Sequence, residues 1–472
     1  MPEPDELLPM GIDADSGGPA VPPVTPETLA EWIMGSFGGA RQPWASRAAK
    51  DAGERFGLAD GINPDNLADC GYGVIWAPDV PADVRAALAP LLNRRRGEAI
   101  ATKAERFREI EFQVKESVPE PVHAFLERHG VSPGIGEPDK LPYYLFIVGS
   151  PETIPFEFQY GLASDYAVGR MHLADAAACG RYAAAVLLAE DTKLHQPRAG
   201  LFGTAHAGDA ATTASAAQLI APMEPELKAL PKWKIHPHAG AAATKDRLLR
   251  LLSGPDAAPV LFSATHGMEH TPNDARMATR QGSIICQDFT PGGPVKPAHI
   301  VTADDAAALG SLDHLVWFCF ACFGAGTPAE DNFPGNPDLL TVRPLTPKPF
   351  QAALPAQLLG HAPGPALGFI GHVERAWASS FIFGTATHQY KDFAECLKRI
   401  MLGRRLGHAA RVFGERSASL SAMLAVEMIR ALRQRQKLDR RASWLIARLW
   451  TAAMDARNFV LLGDPAARRR IA

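Results

Sequence analysis

The sequence predicts an α/β fold with a mostly parallel sheet, and three observations lead there. Apolar runs of strand length recur from residue 143 onward, at 143–148, 200–205, 259–265 and 366–373. Segments with helical spacing lie between them, such as 213–230 and 245–252. The runs are apolar at consecutive positions rather than alternating, as strands covered on both faces are. Strand and helix in alternation imply parallel strands whose connecting helices pack on the two faces.

The elements before that pattern are less regular. Residues 1–24 are rich in Pro, Gly and Asp and are expected to be a disordered tail. Thr25-Pro26-Glu27 then reads as a helix start, with Thr25 as the cap and Pro26 at the first helical position. From 25 to 140 a short strand (72–77) and helices over 81–93 and 99–117 predict an accessory module. Arg94-Arg95-Arg96 ends one of these helices, where cations suit the dipole. Residues 141–198 form a leading subdomain: the 143–148 strand runs into Gly149-Ser-Pro-Glu-Thr-Ile-Pro155. Residues 199–472 form the largest unit, with further strands at 234–238 and 283–286 and a helix after Thr302-Ala-Asp-Asp305. After about 385 the chain is helical and basic, with Arg404-Arg405, Arg433, Arg435, Arg440-Arg441 and Arg468-Arg469-Arg470. Solvated helix faces account for these charges.

Composition narrows the function. The chain has 472 residues, a net charge of −3 and a pI near 6.6. Length allows two or three domains, and the charge gives no pull towards nucleic acid or an anionic membrane. No run of 18 apolar residues occurs, so no spanning helix is expected. The start, Met1-Pro-Glu-Pro-Asp-Glu, is acidic and proline-broken, unlike a secretory signal. A cytoplasmic protein is the expectation. The six cysteines, at 70, 179, 286, 319, 322 and 396, are too sparse for a disulfide framework.

Two segments carry chemistry. Val260-Leu-Phe-Ser-Ala-Thr-His266-Gly267 and Leu315-Val-Trp-Phe-Cys-Phe-Ala-Cys322-Phe-Gly324 each end an apolar strand in one reactive side chain beside a small residue. A thiol peptidase needs a cysteine nucleophile and an imidazole that carries its proton to the leaving amine. Strand ends at one edge of an open α/β sheet are where ligands bind. Alone, His266 would be a strand cap and Cys322 a buried thiol; the two in matching contexts point to a dyad. Cys319 and Cys322 also spell Cys-x-x-Cys, but a zinc site needs a second such pair and a redox pair normally opens a helix. Cys319 is expected in the core. His266 and His270 are four apart, yet Gly267 and Thr271-Pro272 argue for a turn, not a metal-binding helix. His270 is expected in a loop near the cleft, and His236 and His238 on a polar strand face. No cofactor or metal is expected.

The pair resembles the caspase-like (clan CD) cysteine peptidases, which include caspases, gingipains and the bacterial CHAT proteins. The spacing, 322 − 266 = 56 residues, is near the roughly 50 between His and Cys in caspases. Ala321-Cys322-Phe323-Gly324 matches part of the caspase nucleophile signature, departing at Phe320, where caspases have Gln, and at Phe323. Leu145-Phe-Ile-Val-Gly149 with Ile154-Pro155, Asp165-Tyr-Ala-Val-Gly169-Arg170, and Phe459-Val-Leu-Leu-Gly463-Asp464-Pro465 are similar to the opening and closing motifs of gingipain-type domains.

The resemblance implies a caspase-like sheet over roughly 143–467 and an endopeptidase with Cys322 as nucleophile and His266 as base and then acid. The backbone N–H groups of Gly267 and Cys322 would form the oxyanion hole. It also implies that the loop after the first core strand, Ala205-His-Ala-Gly-Asp209-Ala-Ala-Thr-Thr213, supplies the specificity pocket. Asp209 there would select Arg or Lys before the scissile bond, or instead cap the following helix. Asp331 is a second candidate acid. The Pro/Gly-rich stretch 323–349 has the character of a lid or processing linker, but Arg343 and Lys348 are each followed by proline and are poor sites for cleavage after a basic residue. The expected partner is a protein or peptide substrate, with a regulatory partner through the 25–140 module, and neither membrane nor nucleic acid. The rivals are a non-catalytic scaffold of the same fold that binds peptides, and a nucleic-acid or signalling module using the basic C-terminal half.

Overall fold

The computed structural model describes residues 7, 10–20, 24–37, 57–195, 197–312, 314–333, 344–382, 389–434 and 438–472. Fourteen strands matter here: β1 (Gly11–Asp13), β2 (Tyr72–Trp76), β3 (Phe107–Glu111), β4 (Tyr144–Val148), β5 (Ala167–Met171), β6 (Arg198–Gly203), β7 (Lys234–Ala239), β8 (Val260–Ala264), β9 (Gly267–Glu269), β10 (Ile284–Ile285), β11 (Ile300–Val301), β12 (Val316–Phe320), β13 (Gly368–His372) and β14 (Phe459–Leu462). The helices used below are α1 (Pro26–Phe37), α2 (Ala82–Ala99), α3 (Ala176–Asp191), α4 (Ala210–Ser215) and α5 (Arg440–Arg457).

A ten-stranded sheet runs in the order β7-β6-β8-β12-β13-β14-β5-β4-β2-β3. The first five strands are mutually parallel, and so are the last five; the two halves meet at the antiparallel pair β13 and β14. The central strands β8, β12 and β13 are buried at every position, and helices flank the sheet. The fold class expected from the alternation is therefore the fold observed, with apolar runs forming strands covered on both sides.

The boundary expected at residue 140 does not interrupt the sheet. β2 pairs in parallel with β4, from Tyr72↔Tyr144 to Trp76↔Val148. The expected helix over 99–117 is also replaced: α2 ends at Ala99 and β3 follows. Phe107-Arg-Glu-Ile-Glu111 is mostly polar with only Ile110 buried, which suits its place at the edge of the sheet. The part of the chain before residue 140 is tied to the part after it by a buried ionic cluster. Arg95 on α2 lies 2.7 Å from Asp464 beyond β14 and 2.7 Å from Glu190 on α3, and the Tyr72 hydroxyl donates to Asp464 at 3.0 Å.

Residues 10–20, expected to be disordered, pair instead with the body. β1 lies parallel to β9, and β9, β10 and β11 complete a small second sheet. The other described residues of that tail, Leu7 and Val24, pair with each other. Ile12 supplies the reason: it is buried in a small apolar cluster with Met268, Ile285, Phe289 and Ile300, enough to hold a Gly-rich segment that composition alone marks as unstructured. Among the described residues no helix is long and apolar enough to cross a membrane.

Candidate active site

His266 and Cys322 stand at one level beyond two adjacent strands. β8 and β12 are paired from Val260↔Val316 to Ala264↔Phe320, and the Thr265 N–H donates to the Phe320 carbonyl at 3.1 Å. Two residues past the last rung on each strand come His266 and Cys322. A Cβ on Gly267 would fall 1.9 Å from the Cys322 carbonyl oxygen, so only glycine lets the two backbones approach this closely. Phe323, directly after the cysteine, has φ +55°, a left-handed conformation that costs a bulky residue on the order of 1–3 kcal/mol. Its N–H is held by the Glu374 carbonyl at 2.6 Å. The turn this produces ends β12 at the candidate nucleophile.

Asp209 completes the arrangement around His266. His266 Nε2 lies 2.6 Å from an Asp209 carboxylate oxygen. The same carboxylate caps α4, accepting from the N–H groups of Ala211 and Thr212 and from the Thr212 hydroxyl. Burial alone would raise the Asp209 pKa; the hydrogen bond and charge of His266, with the Thr212 and Ala211 donors, outweigh it and hold the group well below the usual carboxylate range. An ionised Asp209 can only accept, so Nε2 is the ring nitrogen that donates to it and Nδ1 is the one left for proton exchange. Nδ1 is buried and has no hydrogen-bond partner among the described residues. A ring nitrogen so placed is not tied up by another group and can take or give a proton.

Cys322 is fully buried. The Ala376 N–H donates to its sulfur at 3.1 Å. Burial pushes the thiol far up, against a smaller opposing effect of that N–H, so Cys322 is a neutral thiol here. The wall that carries Ala376 is pinned by Asp455 on α5: its carboxylate accepts from the Trp377 N–H at 2.6 Å, hydrogen-bonds Ser380, and lies 3.3 Å from His372 Nε2. Sequence reasoning missed Asp455. Inside a long amphipathic helix, no local spacing connects it to a strand end 80 residues earlier.

β1 runs through this site. Met10 donates its N–H to the Ala376 carbonyl at 2.9 Å, and a Cβ on Gly11 would lie 3.2 Å from Cys322 Sγ. The tail therefore covers the sulfur.

The remaining candidates fall into place around it. Asp331 is buried and lies 2.7 Å from Arg375, which lies 2.7 Å from Glu269 on its other side. Both carboxylates expected to hold a substrate cation are thus already engaged, Asp209 by His266 and α4, Asp331 by Arg375. His270 is buried, with Nδ1 3.7 Å from Asp274. His236 is exposed and His238 half-buried. Cys319 is buried within the sheet opposite Ser263 and Gly371, its thiol pushed up to about 12 by burial. All six cysteines are free, and no group of three potential metal ligands occurs among the described residues. Among the basic runs, Arg404 and Arg405 pair with Asp65 and Glu98. Arg435, and Arg343 with the middle of the expected lid (334–343), lie outside the described residues.

No family model matches the chain, and no curated protein matches it at a significant level. Its similar solved structures include a cysteine proteinase. That structure is the Arg-specific cysteine proteinase gingipain R, at 12% identity and a TM-score of 0.49, covering 88% of this chain and 80% of that one. A complex of the pro- and mature domains of Porphyromonas gingivalis RgpB matches at 12% identity and a TM-score of 0.46, covering 84% of this chain and 80% of that one. A structure described as a protease matches at 11% identity and a TM-score of 0.47, covering 86% and 80%.

Proposed function

We propose that the chain is a caspase-like cysteine endopeptidase in which Cys322 attacks, His266 moves the proton and Asp209 orients His266. The observation that supports it is the Asp209 carboxylate 2.6 Å from His266 Nε2, on a residue that stands level with Cys322 beyond the neighbouring strand. In the reaction the Cys322 sulfur adds to the scissile carbonyl carbon while His266 takes the thiol proton. The carbonyl oxygen becomes an oxyanion within reach of the Gly267 and Cys322 N–H groups. His266 then gives the proton to the leaving amine, the C–N bond breaks, and water hydrolyses the thioester. Asp209 stays ionised throughout and stabilises the imidazolium.

The buried, neutral Cys322 favours a second reading, a peptide-binding scaffold of the same fold. Digestion of an unfolded protein mixture by a Gly11→Glu chain, whose larger side chain displaces the tail from Cys322, read by mass spectrometry, separates the two. New termini that appear with the chain and vanish with Cys322→Ala support the peptidase; termini unchanged by that substitution overturn it.

A further inference from the structure

The chain segment lying in the cleft is arranged as a substrate would be. Leu7 and Val24 pair in antiparallel fashion, as do Ile12 and Pro19. The segment is therefore a hairpin, closed by bonds from the Asp13 N–H to the Gly18 carbonyl and from the Ala20 N–H to the Gly11 carbonyl, at 2.9 and 3.0 Å. Its first arm crosses the site. The Met10 N–H donates to the Ala376 carbonyl at 2.9 Å, and Ala376 in turn donates to Cys322 Sγ. Beyond Met10 the chain pairs with β9 as Gly11↔Gly267, Ile12↔Met268 and Asp13↔Glu269.

The phase of that ladder fixes which groups face each other. The Ala14 N–H donates to the Glu269 carbonyl, and the Met268 N–H is committed to Ser283 on the far side. In a parallel pair the bonds alternate evenly along each strand. Stepping back from Ala14, the Ile12 N–H faces the Gly267 carbonyl and the Met10 carbonyl faces the Gly267 N–H. Gly11 then comes against the sulfur: its Cβ position is 3.2 Å from Cys322 Sγ and 3.1 Å from the Ala20 side chain. A larger residue at that position would meet both. Met10 itself is fully buried.

The bond presented to Cys322 is thus Met10–Gly11. Its carbonyl faces the proposed oxyanion donor, the Met10 N–H on its N-terminal side is held by the Ala376 carbonyl of the cleft wall, and the Met10 side chain before it is enclosed. Ile12 enters the apolar cluster of Met268, Ile285, Phe289 and Ile300. We propose that this hairpin is an internal substrate analogue, and that the site selects peptides with an unbranched apolar residue before the scissile bond, glycine after it and an aliphatic residue next. This rests on the peptidase reading above. It replaces a basic preference with an apolar one, in keeping with Asp209 and Asp331 being engaged elsewhere. While seated, the hairpin excludes other peptides. When it is cut, the Met10 carbonyl passes to Cys322 as a thioester, the His266 proton leaves on the new Gly11 amine, and water releases a Met10 carboxylate.

The test uses the full chain, a Gly11→Glu variant and a Met10→Glu variant, each verified as folded by its thermal transition. Iodoacetamide should alkylate Cys322 at least about 10-fold faster in both variants than in the parent; equal rates in all three would overturn the seating. The unseated variants are then given the peptide Leu-Leu-Pro-Met-Gly-Ile-Asp-Ala, its Met→Arg form and an unbiased peptide library. Cleavage between Met and Gly, about 10-fold or more faster than cleavage of the Arg form, supports the proposal. Library cleavage that prefers Arg, Lys or Asp, or that leaves the Met-Gly peptide intact, overturns the substrate class while the peptidase stands. No cleavage of any peptide, with Cys322 alkylated fast, overturns both.

Discussion

Asp209 holds His266 by its Nε2 atom at 2.6 Å, and the same carboxylate caps the helix that follows it. The two roles separate by substitution. Asn caps a helix about as well as Asp, but its amide can present N–H where the imidazole needs an acceptor. Asp209→Asn should leave the thermal midpoint nearly unchanged while kcat falls about 100-fold or more and its pH profile moves. Asp209→Ala should lose the activity and also about 1 kcal/mol of stability. Equal activity in Asp209→Asn and the parent would show that the carboxylate only caps.

In the proposed mechanism Cys322 and His266 act on one proton and one bond. Cys322→Ala, His266→Ala and the double variant should therefore be equally inactive, because removing either partner already removes the step. Cys319→Ala should keep turnover, since its sulfur lies in the sheet interior. Kinetics of the four variants on a cleaved peptide check this. Loss of activity in Cys319→Ala with retention in Cys322→Ala would reverse the assignment.

The Arg95 cluster predicts a stability defect with no activity component of its own. Arg95 and Asp464 are both fully buried. Arg95→Met leaves the Asp464 carboxylate buried with its counter-ion gone, a loss on the order of 3–5 kcal/mol. Urea unfolding should show the shift. A change below about 1 kcal/mol would mean that water reaches Asp464.

His206 gives a pH signature. Burial first, and the neighbouring His266 second, hold it down to about 4 against the opposing pull of Asp209. The unfolded chain protonates histidine near pH 6.5. Between those values the unfolded state binds the extra proton, so stability falls as pH drops from about 6.5 to about 4, by on the order of 2–3 kcal/mol. His206→Gln should flatten that part of the curve. Urea midpoints across the range, unchanged in slope by the substitution, would contradict it.

Much of this was legible in the sequence because buried parallel strands leave an unmistakable trace. The apolar runs ending at Ala264 and Phe320 and the helix expected near Thr302-Ala-Asp-Asp305 appear in the structure within a few residues. Thr25 and Pro26 likewise mark the start of α1. What escaped depends on contacts distant in sequence. Composition marked residues 10–20 as disordered, since Gly, Asp and Pro say nothing of the apolar slot that receives Ile12. The strand at Phe107 was hidden because an edge strand with Arg and Glu outward resembles a solvated helix. Asp209 was noticed for its charge, and only the fold shows that the charge faces His266.

The most direct measurement is where a peptide-like electrophile attaches. Peptidyl acyloxymethyl ketones with apolar, basic and acidic terminal residues are incubated with the parent, Gly11→Glu and Gly11→Glu/His266→Ala chains, and the adducts are mapped by mass spectrometry. A single adduct on Cys322 in Gly11→Glu, slower in the parent and lost without His266, is the predicted result. Adducts spread over the other cysteines regardless of His266, or none in Gly11→Glu, would contradict Cys322 as the nucleophile of a peptidase.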